Sequence, residues 1–173
     1  MDIRALEGTD RDAVARFVAR VPEGDRTFFK EDVEVPEVLA AWASPGTARL
    51  LAVEGGDVVG YAAVVPLHGW SSHVGEVRVI VDPQWRGRGV GRALARRAVI
   101  EAIELGLTKM VVEVVADQEP TIAMFRSLGF EPEALLTDHV RDQSGALRDL
   151  MILAHSAQEQ WASMLVAGIA DEL

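Results

Sequence analysis

The chain has no cysteine. That excludes disulfides, thiolate metal ligation and a cysteine nucleophile. Aromatic residues are scarce, at 6%, with a single tyrosine at Tyr61. No window offers the about eighteen uninterrupted apolar residues that a membrane span requires. Met1-Asp2-Ile3-Arg4 carries no secretory leader pattern, so the expectation is a cytoplasmic chain with no membrane partner. Positive charge is also short, the net charge being -10. Nucleic-acid surfaces need a basic footprint, which disfavours nucleic acid as a partner. A G-x-x-x-x-G-K-[ST] loop is missing too, and with it the signature of a nucleotide triphosphatase. There is no internal repeat, linker or low-complexity tract. What remains is a chain of 173 residues, 49% of them hydrophobic, long enough for one domain around one core.

The positive charge that does exist is concentrated. Arg86, Arg88, Arg92, Arg96 and Arg97 fall within twelve positions. The residues before them, Val74–Val81, form a Val- and Ile-rich run that suits a strand. Asp82-Pro83 ends that run, since proline cannot donate to a ladder. After Arg86-Gly87-Arg88-Gly89-Val90-Gly91, Leu94, Ala98, Ala102 and Leu105 are spaced for one apolar helix face. Strand, glycine-rich turn and helix in that order make an anion site. Glycine lets main-chain N–H groups converge, and a helix start has N–H groups without internal acceptors. The expected guest is a phosphate or pyrophosphate. The glycines alternate, so the dinucleotide pattern G-x-G-x-x-G is not met.

Elsewhere the pattern predicts a strand over 2–6 and a helix opened by Thr9 as cap. Residues 22–25 read as a loop, and 27–35 as a turn with a short helix. Pro36 at a first helical position starts a helix reaching about residue 43. Strands over 47–54 and 58–66 are joined by Gly55-Gly56-Asp57, a hairpin signal. A buried strand is expected at Lys109–Val115, a helix over 119–128, and strands over 130–140 and 147–154. Residues 156–173 form a C-terminal helical extension to a domain over 1–155. The apolar side of that extension, from Trp161 to Ile169, packs either on its own domain or on a partner subunit as a homodimer.

Arg86-x-x-Gly89-x-Gly91 after Val81-Asp82-Pro83 resembles motif A of the GCN5-related N-acetyltransferase (GNAT) superfamily. A second stretch, Ala123-Met124-Phe125-Arg126-Ser127-Leu128-Gly129-Phe130, resembles its motif B. The resemblance covers roughly Ile3 to Ala154, most of the chain. The resemblance implies an α/β (α+β) fold with a mixed, mostly antiparallel sheet of six to seven strands flanked by helices. The sheet would be splayed between the strands at 74–81 and 109–115. It implies acetyl-CoA as acyl donor, no metal, and an amine acceptor on a small molecule or peptide. Pantetheine would pair with main-chain groups of Val79, Ile80 and Val81, where one N–H can also stabilise an oxyanion. The pyrophosphate would lie on Arg86, Gly87, Arg88, Gly89, Val90, Gly91 and Arg92. Transfer would be direct, so the missing cysteine does no harm.

The resemblance also frames the catalytic candidates. Glu76, which alternation places on one strand face with Arg78 and Ile80, is a candidate base; the alternative is an ion pair with a neighbour. His73 is the second candidate, and Glu113, Asp138 and His139 are weaker ones. Phe28, Phe29 and Trp42 are candidates for the acceptor pocket or else core. Two positions depart from the family pattern. Gln118 replaces a usual asparagine and can still hydrogen-bond pantetheine. Phe125 replaces a usual tyrosine and cannot protonate the departing thiolate. A thiol pKa of about 8.5 makes that loss tolerable near neutral pH. Alternative readings are a catalytically weak acyl-CoA-binding module of the same fold, acting as sensor or assembly part, and an unrelated phosphate-binding α/β protein. The acidic remainder of the surface either attracts a cationic acceptor or only aids solubility.

Overall fold

The structure is a computed structural model that describes residues 1–42, 47–142 and 144–157, with Thr27 described by its backbone only. The strands are β1 (Asp2–Ala5), β2 (Ala48–Glu54), β3 (Asp57–Pro66), β4 (Val74–Val81), β5 (Lys109–Val115), β6 (Glu131–Arg141) and β7 (Leu147–Ser156). The helices are α1 (Arg11–Arg20), α2 (Glu23–Arg26), α3 (Pro36–Ala41), α4 (Val90–Glu104) and α5 (Glu119–Arg126). One sheet holds all seven strands in the order β1-β2-β3-β4-β5-β7-β6. Every neighbouring pair is antiparallel except β4 with β5. That one parallel pair needs a crossover, and α4 supplies it.

Helices cover both faces. On one, α4 and α5 bury Leu94, Ala98, Ala102 and Phe125 against Ala62, Val64, Val77, Met110 and Val112. On the other, α1 with Phe29, Val33 and Trp42 covers Leu51, Tyr61, Ala63 and Ile80. Strand alternation sorts residues between the two layers, Ala62 and Val64 facing α4 while Tyr61 and Ala63 face α1. Gly55 and Gly56 turn the β2–β3 hairpin at φ of 60° and 90°, the positive values a two-residue hairpin turn requires. Among the described residues no helix is long and apolar enough to cross a membrane.

The strands expected from sequence lie within a residue or two of those observed. Several local expectations fail for identifiable reasons. Thr9 is not the cap of α1: it sits inside a 3₁₀ turn, Gly8–Asp10. Asp10 takes the Glu7 N–H at 2.9 Å and both arms of Arg4 instead. The span read as a loop at 22–25 is mostly taken up by the single helical turn α2, which runs on to Arg26. Leu105 is 47% exposed, because α4 ends at Glu104 and buried Leu107 takes the core position. The last strand runs to Ser156 rather than 154. Of the expected extension and dimer surface at 156–173, residues 158–173 lie outside the described residues.

Gly60 sets how closely α4 approaches the sheet. A Cβ there would lie 2.8 Å from Leu94 Cδ1 and 3.0 Å from Val90 Cγ1, both in buried side chains. Overpacking a dense core costs about 1–3 kcal/mol. Gly60→Val is therefore expected to lower unfolding free energy by about that amount, measured by denaturant titration; unchanged stability would show that α4 does not rest on this contact.

Candidate active site

The one parallel pairing is also the shortest along β4. It holds at Val74 with Lys109, Gly75 with Met110 and Glu76 with Val111, and then stops. Residues 77–81 of β4 keep their pairing to β3 but have no partner on β5. From Val112 onward β5 pairs only with β7. The strands part, and a cavity of about 600 Å³ opens between them. Its walls include Val79, Ile80 and Val81 from β4, Val112 and Val114 from β5, and Gln118 and Phe125 from the α5 region. One edge of β4 thus presents main-chain donors and acceptors to a space that an extended chain could fill.

At the far end of β4 the turn is built as the sequence suggests. Gly87 and Gly89 have φ of 72° and 81°, left-handed values that cost other residues about 1–2 kcal/mol. A Cβ at either would meet nothing within 4 Å, so the turn is not filled by the protein's own side chains. Gly89 is the N-cap of α4, and the first intrahelical bond is Ala93 N–H to Gly89 O at 3.0 Å. The amides of Val90, Gly91 and Arg92 therefore precede the internal ladder, at the positive end of the helix dipole. Gly91 is different. It lies inside α4 with Val81 Cγ2 and Met124 Sδ at 3.4 and 3.5 Å from where its Cβ would be.

Asp82 pins the turn to the sheet. Buried at 3% exposure, it accepts Gln84 N–H at 3.0 Å and Arg20 Nε at 2.7 Å. Arg20 also donates to Val58 O at 2.6 Å.

Of the residues expected to meet a ligand, Arg86, Gly87, Gly89, Gly91 and Arg92 line the cavity with Val79, Ile80, Val81, Gln118 and Phe125. Arg86 is already engaged, donating to Asp25 at 2.5 Å and to Val81 O at 3.2 Å. Two residues offer no side chain there. Arg88 stacks its guanidinium 4.9 Å over Trp85, and Val90 is buried in the core. Only their main chain faces the turn.

Glu76 lines the cavity at the last paired rung. Its carboxylate receives Lys30 Nζ at 2.5 Å and Arg78 Nη2 at 3.1 Å. Burial alone would raise its pKa, but the hydrogen bonds and charges of Arg78 and Lys30 outweigh that and hold it below the ordinary 4.5. Glu76 is thus ionised at neutral pH. Its ion pairs add stability above the ordinary carboxylate value, lost as pH falls through the lower folded value. Glu76 therefore faces the cavity and is ion-paired at the same time. His73 does not reach the cavity; it is exposed, and its carbonyl accepts the N–H groups of Thr108 and Lys109 at the closed end of β4. Glu113 does reach it, opposite Glu76. Asp138 and His139 sit on the exposed edge strand β6, away from the lining residues.

Phe28 lines the cavity, whereas Phe29 and Trp42 are core, packed on Tyr61 at 5.5 and 4.6 Å between ring centroids. Neither Ser127 nor Tyr61 stands in for the tyrosine missing at Phe125. Ser127 donates its hydroxyl to Met124 O at 2.6 Å. Burial pushes the Tyr61 phenol up to about 12, and the group belongs to the core. Sequence reading missed Asp25, Lys30 and Glu31. Glu31 binds Arg49, Arg78 and the Trp42 indole N–H beneath the cavity. All three come from the stretch before α3: Asp25 from the short turn α2, and Lys30 and Glu31 from the run of charges after Phe28-Phe29.

A sequence model of the acetyltransferase (GNAT) family matches residues 16–130, which span the parted strands, the glycine turn and α5. The chain belongs to the GNAT family. It is 31% identical over 157 residues to the uncharacterized N-acetyltransferase YjgM of Escherichia coli K12, covering 86% of this chain and 94% of that one. It is 36% identical over 92 residues to the L-amino acid N-acetyltransferase AaaT of the same organism, covering 51% of this chain and 56% of that one. Among solved structures, the ribosomal-protein-alanine N-acetyltransferase of Brucella melitensis superposes with a TM-score of 0.77 at 26% identity, over 90% of this chain and 99% of that one. The yncA structure from Salmonella typhimurium, with its cofactor acetyl-CoA, gives 0.74 at 25% identity, over 90% and 93%. This GNAT protein is an N-acetyltransferase, and its open, mostly antiparallel sheet is that of the family. Nothing in these relatives favours a catalytically weak binding module.

The support of the turn is testable. Asp82→Ala strips acceptors from Gln84 N–H and Arg20 at a buried position. It is expected to destabilise the GNAT domain by about 1–3 kcal/mol, read from the thermal midpoint; a midpoint equal to wild type would show that the turn is held by other contacts.

Proposed function

We propose that the protein transfers an acetyl group directly from acetyl-CoA to a primary amine of a small molecule or peptide. The observation that carries this reading is the parting of β4 from β5 beside an open glycine turn at the start of α4. An extended pantetheine arm matches the unpaired edge at Val79, Ile80 and Val81. A diphosphate matches the amides from Gly87 to Arg92. Arg92, which lines the cavity, and Arg86, once released from Asp25, would add charge there. Gln118 and Phe125 would bound the arm on the α5 side. A neighbour holding acetyl-CoA on the same fold supports the choice of donor.

In this reading a main-chain N–H of β4 receives the charge that develops on the thioester oxygen as the amine attacks. The amine gives up its proton on the way. Glu76, ionised and facing the cavity, takes it through an ordered water. Its lowered pKa makes it a weak base, so the acceptor's own ionisation, near 10.4 for a lysine-like amine, governs the pH dependence. Turnover rises toward alkaline pH. With Phe125 in place of a hydroxyl, the thiolate leaves without a protein acid. Losing general acid catalysis typically costs about 10²–10⁴-fold, and the thiol's low pKa places this case at the small end.

Two substitutions test the reading. Gly89→Glu puts bulk and negative charge into the anion site and is expected to abolish acetyl-CoA binding in a calorimetric titration; retained affinity would contradict the assignment of the turn. Glu76→Gln is expected to slow transfer by about 10²-fold or more with acetyl-CoA affinity nearly intact, whereas normal turnover would remove Glu76 from the mechanism.

A further inference from the structure

We infer that Glu76 and Glu113 form the seat for the acceptor's ammonium group, and that Lys30 occupies this seat as an internal competitor which the acceptor displaces. The inference rests on reading the cavity as the transfer site and names the acceptor-binding residues within it. It begins with position. Glu76 is the last residue of β4 paired to β5, and Glu113 lies two residues past its partner Val111. Strand alternation puts Val111 and Glu113 on one face of β5, while Val112 and Val114 are buried on the α4 side. The two carboxylates therefore flank the point where the strands separate, on the sheet face opposite α4. A donor anchored on the α4 turn leaves that opposite face as the approach for an amine.

Lys30 shows what the seat accepts. It is one of only two lysines in the chain, with Lys109. Its ammonium bridges Glu76, at 2.5 Å, and Glu113. Its backbone stands at φ 57°, a left-handed value for a residue with a side chain. Such a conformation persists where surrounding contacts enforce it, and they do so on both sides. Before it, the Phe29 side chain is buried in the core and its carbonyl accepts Arg78 Nη1 at 3.0 Å; after it, the Glu31 carboxylate accepts Arg49 Nη1 at 3.2 Å and Arg78 Nη1 at 3.1 Å. The segment is pinned so that Lys30 projects a primary ammonium across the gap. Chemically that group is the acceptor's reacting end in its charged form.

The latch is easily opened. Lys30 and Glu113 are each 33% exposed, and partly exposed ion pairs are weak. An acceptor ammonium can exchange with Lys30 while Arg78 keeps its own contact to Glu76 Oε2 at 3.1 Å. A competitor that fills the seat for most of the time lowers apparent affinity by the fraction of protein left open. The seat thus selects compact primary ammonium ions over neutral amides or alcohols, since only a cation replaces the lost pair.

Butylammonium chloride is the probe, titrated calorimetrically into the full chain with and without saturating coenzyme A. Lys30→Met is expected to bind butylammonium ~3- to 10-fold more tightly than wild type. Lys30→Arg, which keeps a cation in place, is expected to stay near wild type. Glu113→Gln is expected to weaken binding by ~10-fold with coenzyme A affinity unchanged. Equal butylammonium affinity in wild type, Lys30→Met and Glu113→Gln would overturn the inference. Should Lys30→Met fail to fold, the Glu113→Gln comparison decides alone. Absence of coenzyme A binding in the companion titration would instead contradict the proposed function.

Discussion

A β-sheet is held by its ladder, and here the ladder is left incomplete at its centre. β4 and β5 share three rungs and then diverge, so residues 77–81 present main-chain groups along one edge without a strand to receive them. Unpaired main-chain groups away from water are costly, and folds avoid them. The separation is maintained because each strand is secured on its other side, β4 by β3 along its length and β5 by β7. α4, packed through alanines at Ala95, Ala98 and Ala102, and α5, packed through Phe125, hold the two halves apart from one face. The cavity follows from that geometry.

The charges around the cavity are arranged at its two ends. At the α4 end lie helix-start amides, two glycines with positive φ and Arg92. At the other lies a network in which Glu76, Glu113 and Glu31 alternate with Lys30, Arg78 and Arg49. An overall charge of -10 does not describe either end. What matters chemically is the local field, which suits an anion at one end and a cation about a strand's length away. The same segment, from α2 to Lys30, touches both ends, with Asp25 on Arg86 and Lys30 on the two glutamates.

Much of this architecture was legible in the sequence, for physical reasons that differ from part to part. Val74–Val81 and Lys109–Val115 are apolar runs ended by turn residues, and both strands have those bounds. Gly87 and Gly89 were readable because only glycine takes their conformation without strain. The apolar face of α4 held up to Ala102 and failed at Leu105, where the helix ends and periodicity no longer applies. Thr9 failed as a cap because Arg4 and Glu7 organise that turn through Asp10, a contact between residues that pattern does not link. Trp42 and Phe29 turned out to be core because Tyr61 packs against both, and a contact between residues so far apart in the chain is invisible in one dimension. Lys30 and Asp25 were missed because their segment has neither helical nor strand period. Their roles come from where the fold brings the chain.

The central claim is that an extended ligand completes the broken ladder while its diphosphate rests on the amides at the start of α4. Amide hydrogen exchange with and without coenzyme A tests it most directly, residue by residue. The account predicts slowed exchange at amides among Val79, Ile80 and Val81 and from Gly87 to Arg92, with β6 and the β2–β3 hairpin unaffected. Protection falling elsewhere, with those amides exchanging as in the free protein, would contradict it.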